Sequence, residues 1–192
     1  STDIPNPLSE YGRQKLEAEK KVLSVTDENL VVLRVTLLNG NSPSGQRSQH
    51  EKILNALASN MPVTLFEDEI RQPCSSENLA DVLVELLERP NLNGLFHWAG
   101  SEEISRYDLG VRILERFGID PEKIICEKIH NFFPGEAMRP GHLSFNLEPL
   151  ASKIRTQPSS IEEQLSELQI PAELYSWYRE YADDPSRYIP LF

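Results

Sequence analysis

The chain has 192 residues, of which 39% are hydrophobic and 26% charged, and its formal net charge is −11. This composition is typical of a folded globular domain, and the acidic balance argues against a nucleic-acid partner or an anionic membrane surface. We find no run of about 18 apolar residues and no secretory signal pattern, so we expect no membrane span. Two cysteines, Cys74 and Cys126, predict free thiols and a cytoplasmic protein. The histidines form no metal-binding motif, so no metal site is expected.

The first half of the chain alternates helical patterns with short apolar runs. A charged segment over residues 9–23 predicts a helix. The nearly continuous apolar run at 29–38 is typical of a strand buried on both faces of a parallel sheet. Two more helices are expected over residues 51–60 and 78–89. Two more strands are expected over residues 63–66 and 94–98.

The second half begins with a clear helix start. Ser105 with Asp108 three residues later is the pattern of a capped helix, which Gly118 should end. A strand is expected near 124–129 and an irregular loop over 132–141. Ser160 with Glu163 repeats the capping pattern and predicts a helical region that continues through Tyr181.

The alternation of strands and helices predicts an α/β fold with a mostly parallel sheet. A dinucleotide-binding sheet normally has a Gly-rich turn between its first strand and first helix. None of the nine glycines in this chain forms a GxGxxG pattern. The chain therefore has the pattern of the later part of such a domain.

A Tyr-x-x-x-Lys pattern opens the first predicted helix, at Tyr11 and Lys15. The four-residue spacing places both side chains on one helix face. An ammonium group beside a phenol favours the phenolate, so the pair can protonate a carbonyl oxygen as a hydride arrives at its carbon. The same spacing also occurs where both side chains are simply exposed on an amphipathic helix.

The sequence around this motif resembles a known superfamily. Residues 6–19 (NPLSEYGRQKLEAE) closely resemble the active-site helix of extended short-chain dehydrogenases/reductases, nearest to the dTDP-4-dehydrorhamnose reductase branch. Further similar motifs follow in the family's order, at 32–40 (VLRVTLLNG), 71–73 (RQP), 78–82 (NLADV), 94–100 (GLFHWAG), 105–107 (SRY), 138–140 (MRP) and 144–150.

This resemblance implies a role for each matching residue. Tyr11 would be the general acid/base, and Lys15 would tune Tyr11 and hold the nicotinamide ribose of NADP or NAD. Backbone around Thr36 would line the nicotinamide. Arg71 and Arg139 would grip the diphosphate or the nucleotide-sugar, because a guanidinium offers two parallel donors. The alternatives are surface ion pairs for both arginines and a packing role for Thr36.

The resemblance also implies the architecture. We expect an incomplete Rossmann-like parallel sheet, without its N-terminal glycine-motif half, plus a small C-terminal α/β substrate-binding part. Residues 1–100 would mainly form the remainder of the Rossmann-like domain with interleaved substrate-side segments. Residues 101–192 would mainly form the substrate side and a C-terminal helical region.

Three features depart from the family. The nucleotide-binding start is absent, so the chain is either a piece of a longer reductase or a naturally short protein. The catalytic Ser/Thr normally lies well before the Tyr, and neither Ser1 nor Thr2 is assigned that role. Leu37 stands where rhamnose-type reductases tend to have Trp, and Asn39 stands where Tyr is usual.

Leu37 and the residues at 96–98 also resemble another branch, the regulatory beta subunit of methionine adenosyltransferase. The sequence thus leaves two main hypotheses: an NAD(P)-dependent reductase of a 4-keto nucleotide-sugar, or a non-catalytic regulatory or binding subunit of the same fold. An unrelated acidic α/β interaction domain is a third. A sheet without its first strands exposes an edge, so we expect a homodimer or completion by an N-terminal segment, and an inactive isolated chain.

Overall fold

Helices and short strands alternate along the chain. The computed structural model describes residues 4–25, 29–132 and 140–190. The helices are α1 (Glu10–Leu23), α2 (Gln49–Ala58), α3 (Ser76–Leu87), α4 (Arg106–Arg116), α5 (Ile129–Phe132), α6 (Ile161–Glu167) and α7 (Tyr175–Tyr181). The strands are β1 (Val31–Val35), β2 (Leu38–Asn39), β3 (Val63–Phe66), β4 (Ile70–Arg71), β5 (Cys74–Ser75), β6 (Gly94–Trp98), β7 (Ile104–Ser105), β8 (Ile124–Glu127) and β9 (His142–Leu143). Ser1, Thr2 and Arg139 lie outside the described residues.

Among the described residues the strands form four small sheets. β1 pairs in parallel with β6, β2 with β5, and β3 with β8. In the fourth sheet β4 lies between β7, to which it is antiparallel, and β9, to which it is parallel. The predicted α/β class with mostly parallel pairing is therefore confirmed.

The prediction of one strand buried on both faces at 29–38 is wrong. The chain forms β1 and then the separate β2, and no residue of β1 is buried. Val35 at the end of β1 is 37% exposed. Within the described part of the chain β1 is paired only with β6. Its apolar residues therefore lack the second neighbour that a central strand has.

Two groups of buried side chains stabilise the fold. The larger is formed by α2, β3, α4, β8 and the C-terminal helices, and it surrounds the fully buried Phe117. The ring of Phe117 meets Tyr178 and Tyr188 edge to face, with centroids 6.4 and 5.3 Å apart. The smaller group packs around Trp98 from β5, α3, β6 and residues 150–154.

Local capping signals set the helix ends. The Ser105 hydroxyl accepts the backbone N–H of Asp108 at 2.9 Å, and α4 ends before Gly118, whose φ is +63°. The capping box at Ser160 is also present. The predicted helical region does reach Tyr181, but it is interrupted between α6 and a 3-10 turn at Ala172–Leu174. α6 ends at Glu167 and α7 begins only after Pro171, which has no N–H to donate to a continuing helix.

Both cysteines are free thiols, as predicted. Cys74 is buried, and burial together with the nearby Glu167 raises its pKa to about 12. Cys126 is exposed. A search of the described residues for a helix both long and apolar enough to span a membrane finds none.

A buried carboxylate on α3, that of Glu85, binds the backbone at residues 155–156. Glu85 is 4% exposed and accepts the backbone N–H groups of Arg155 and Thr156 at 2.7 and 2.9 Å. It also accepts the Thr156 hydroxyl at 2.9 Å and the Arg89 guanidinium at 2.6 Å. Burial alone would raise the pKa of Glu85, but these hydrogen bonds outweigh burial and lower that pKa to about 2.

We expect Glu85→Gln to destabilise the protein most at neutral pH. The pKa of Glu85 falls from its usual 4.5 to about 2 on folding, so its carboxylate stabilises the fold above pH 4.5. That contribution declines as the pH falls from 4.5 to about 2. Urea unfolding at pH 7 and at pH 3 measures the free energy of unfolding of both proteins. The difference between Glu85→Gln and the wild type should be larger at pH 7 than at pH 3. Glu88→Gln, which removes an exposed partner of Arg155, is the control and should show little difference.

Candidate active site

The Tyr-Lys motif lies in the first two turns of α1. Ser9 caps the helix, because its hydroxyl accepts the N–H of Gly12 at 3.1 Å. A side chain at Gly12 would come within 3.0 Å of Pro7, so glycine lets the preceding segment pack against the helix. Pro7 therefore packs closely against the first turn of α1.

Tyr11 and Lys15 share one face of α1, as their spacing predicts. The Lys15 Nζ lies 5.4 Å from the centroid of the Tyr11 ring. Both line an open groove of about 610 Å³ between α1 and β1. Tyr11 is 70% exposed, so its hydroxyl is accessible to a ligand in the groove.

The opposite wall of the groove is formed by β1 and by Phe145. The Phe145 ring stacks on His97 of β6, with centroids 4.4 Å apart. Burial, aided by the positive charge of Arg34, lowers the pKa of His97. His97 is thus a strand residue, as predicted, and its uncharged ring supports the groove wall.

Thr36 follows the last residue of β1. Its hydroxyl donates a hydrogen bond to the backbone carbonyl of Gln72. The side chain is therefore committed to a contact within the chain, which is the packing alternative stated above. The backbone near Thr36 still lies at the end of the strand that forms the groove wall.

Gln72 is a residue that the sequence analysis did not single out. It is buried, its Nε2 donates to the Gly100 carbonyl at 2.8 Å, and its Oε1 accepts the Phe145 N–H at 2.7 Å. With the Thr36 contact, one residue joins three segments around the groove. A glutamine between Arg71 and Pro73 carries no local signal of these distant partners.

Arg71 lies outside that groove, on β4. Its guanidinium donates to Glu69 at 2.7 Å, to the Ile70 carbonyl at 2.6 Å and to the Gly141 carbonyl at 3.2 Å. Its side chain is 12% exposed. Burial lowers the pKa of Arg71, and the charge of Glu69 opposes this effect. Arg71 thus forms an ion pair, but the pair is largely buried and is not the surface pair of the alternative interpretation.

A second arginine, which the sequence analysis also missed, lies beside this pair. The backbone N–H of Arg106 donates to the Glu69 carbonyl at 2.9 Å. Burial lowers the pKa of Arg106, the charge of Glu69 raises it, and Arg71 lowers it further. The Arg71 and Arg106 guanidinium groups are therefore both close enough to the Glu69 carboxylate to be affected by its charge.

Parallel strand pairs connected by helices, with a Tyr-Lys helix that lines a groove with β1, are features of a Rossmann-like α/β protein. The chain belongs to the family described as the RmlD substrate binding domain, which it matches over residues 1–172. This match, together with the relatives below, confirms the resemblance to the dTDP-4-dehydrorhamnose reductase-like branch of the extended short-chain dehydrogenases/reductases.

Relatives of two kinds match the chain. Methionine adenosyltransferase 2 subunit beta of Xenopus tropicalis is 31% identical over 121 residues, which cover 60% of this chain and 36% of that protein. The probable low-salt glycan biosynthesis reductase Agl14 of Haloferax volcanii is 27% identical over 176 residues, which cover 91% of this chain and 58% of that protein. The relatives therefore include a protein named as a reductase and a protein named as a subunit of another enzyme.

Solved structures share the fold. A dTDP-4-dehydrorhamnose reductase from Clostridium acetobutylicum superimposes with a TM-score of 0.73 at 26% identity, covering 87% of this chain and 57% of that one. The chain spans between about a third and three fifths of the length of these relatives.

Proposed function

We propose that this chain supplies the catalytic helix and the substrate side of an NAD(P)-dependent reductase that acts on a 4-keto nucleotide-sugar. The observation that carries the proposal is the Lys15 ammonium 5.4 Å from the Tyr11 ring, with both side chains open to the groove. Membership in a family that contains reductases supports the reaction class.

Tyr11 acts as the proton donor. Its hydroxyl protonates the keto oxygen of the sugar, and the Lys15 ammonium stabilises the phenolate that remains. Bound NADPH or NADH supplies the hydride. The groove suits that cofactor, because within the described part of the chain the Lys15 ammonium has no carboxylate partner and is free to bind a ribose hydroxyl. Backbone around Thr36 lines the nicotinamide side.

The arginine cluster is assigned to the substrate. Arg71 is held in place by Glu69 and two carbonyl groups, and the positively charged Arg106 lies near both Glu69 and Arg71. Such a site attracts a diphosphate, which guanidinium groups bind through paired hydrogen bonds. We assign Arg71 and Arg139 to this contact, as the resemblance implies, and add Arg106 as a third donor.

A second polypeptide segment completes the site. β1 has a free edge in the described part of the chain, and the sequence has no GxGxxG turn to hold the adenosine diphosphate of a dinucleotide. We propose that an N-terminal segment, or a second copy of the chain, covers this edge. Residues 1–100 then belong mainly to the nucleotide-binding domain and residues 101–192 mainly to the substrate side.

The test uses the longest natural chain that contains these 192 residues. It is incubated with dTDP-4-dehydrorhamnose and either NADPH or NADH, and loss of reduced cofactor is followed by absorbance. We expect turnover with this chain and none with the 192 residues alone. Absence of turnover in a folded longer chain that binds the cofactor would overturn the reductase assignment.

A regulatory subunit is the second candidate. Relatives named methionine adenosyltransferase 2 subunit beta, including the Bos taurus protein at 33% identity over 124 residues, support it. In that case the groove serves binding alone, and the function of the longer chain lies in its effect on a partner enzyme. Co-purification with a methionine adenosyltransferase catalytic subunit, together with a change in that subunit's activity, is the corresponding measurement.

A further inference from the structure

Few contacts fix α1, which carries Tyr11 and Lys15, to the rest of the chain. None of its residues is buried. Two of its ion pairs, Arg13–Glu10 and Lys21–Glu17, join residues of the helix to each other and are well exposed. They stabilise the helix itself but do not set its position over β1. The orientation of the Tyr-Lys face over β1 therefore depends on contacts between α1 and other elements.

One such contact is a two-point ion pair between Glu19 and Arg34. The Arg34 Nε donates to Glu19 Oε2 at 2.7 Å, and Arg34 Nη2 donates to Oε1 at 2.7 Å. The side chains are only 13% and 25% exposed, respectively. Among the residues that the structure describes, this is the one ion pair that connects α1 to another element. Two parallel bonds fix orientation as well as distance.

Arg34 also contacts the neighbouring strand β6. It lies on β1 directly opposite His97 of β6, and its Nη1 is 3.5 Å from His97 Nε2. His97 in turn stacks on Phe145. Hydrogen bonding to Glu19 raises the pKa of Arg34, although burial opposes the rise. Glu19 therefore binds a cation whose own position is set by the sheet.

We propose that Glu19 and Arg34 are positioning residues that fix the rotation of α1 over β1 and so direct Tyr11 and Lys15 into the groove. Tyr11, Lys15 and Glu19 follow one another at four-residue intervals and share one helix face. Loss of the pair frees the helix to roll, which moves the Tyr11 hydroxyl. The inference rests on the proposed function, because it concerns the geometry of the same reaction.

The first test measures the docking of α1 without requiring activity. Hydrogen exchange of peptides from residues 10–23 is compared among the wild type, Glu19→Gln and Glu17→Gln. Glu17→Gln is the matched control, since it makes the same change in the exposed pair with Lys21. We expect exchange in α1 to rise about tenfold in Glu19→Gln and to stay close to wild type in Glu17→Gln. Peptides from α4 report whether the fold is intact.

Equal exchange in the two variants would overturn the proposal. If Glu19→Gln also exposes α4, Arg34→Lys takes its place, because a lysine keeps the charge but cannot make two parallel bonds to one carboxylate. Wild-type exchange of α1 in a folded Arg34→Lys protein would likewise overturn it.

The second test uses the longest natural chain in the reductase assay. We expect Glu19→Gln to lower kcat about 100-fold with little change in KM, because a small misplacement of a reacting group has this effect. Glu17→Gln should keep wild-type kcat. If Glu19→Gln keeps the wild-type kcat while Tyr11→Phe loses turnover, the positioning role is refuted and the proposed function is not. Turnover that survives Tyr11→Phe refutes the proposed function, and the exchange result still decides how α1 is held.

Discussion

Replacing Tyr11 by Phe in the longest natural chain is expected to lower kcat for the nucleotide-sugar about 10²- to 10⁴-fold, the usual contribution of a general acid. The substitution keeps the ring that lies beside Lys15 and removes only the proton donor. Binding of the cofactor should therefore change little. Steady-state kinetics and cofactor titration of both proteins measure the two effects separately.

Tyr181→Phe is the control for that experiment. Tyr181 stacks on Trp177, with ring centroids 4.5 Å apart, and lies on α7 outside the groove. Removal of its hydroxyl should leave kcat unchanged. Equal kcat in the Tyr11→Phe protein and the wild type would show that Tyr11 is not the proton donor.

Replacing Phe117 by Ala is expected to lower the free energy of unfolding by about 3–5 kcal/mol. Phe117 is fully buried and contacts Tyr178 and Tyr188, so its removal leaves a cavity that these rings cannot fill without losing their own packing. The Tyr178 hydroxyl also donates to the Phe117 carbonyl at 2.9 Å. Urea unfolding followed by tryptophan fluorescence measures the change.

Leu87→Ala provides the comparison for Phe117→Ala. Leu87 is a large apolar residue that is 84% exposed, so its truncation should change stability by no more than about 0.5 kcal/mol. Similar losses in the two variants would mean that the larger core does not depend on Phe117.

Helix starts were predictable because their signals are local. The hydroxyl of Ser105 and the N–H of Asp108 are three residues apart, and the same holds for Ser160 and Glu163, so sequence spacing alone determines the contact. Strand burial was not predictable in the same way. The apolar residues of β1 show that a strand forms, but the number of its neighbours depends on distant segments.

In the candidate site, too, the local features were predictable and the long-range contacts were not. Tyr11 and Lys15 follow from helical spacing, and the structure places them on one groove. Their roles remain predictions, as do those assigned to Thr36, Arg71 and Arg139. The partners that surround them could not be derived, because Glu69, Gln72, Arg106 and the Glu19–Arg34 pair act through contacts that the fold alone creates.

Gln72 has a mechanical consequence. Through its carbonyl it holds the end of β1, and through its side chain it holds Gly100 and the backbone at Phe145. A ligand that displaces the Phe145 segment therefore pulls on the same residue that anchors Thr36. We therefore expect the β1 part and the Phe145 part of this groove wall to shift together.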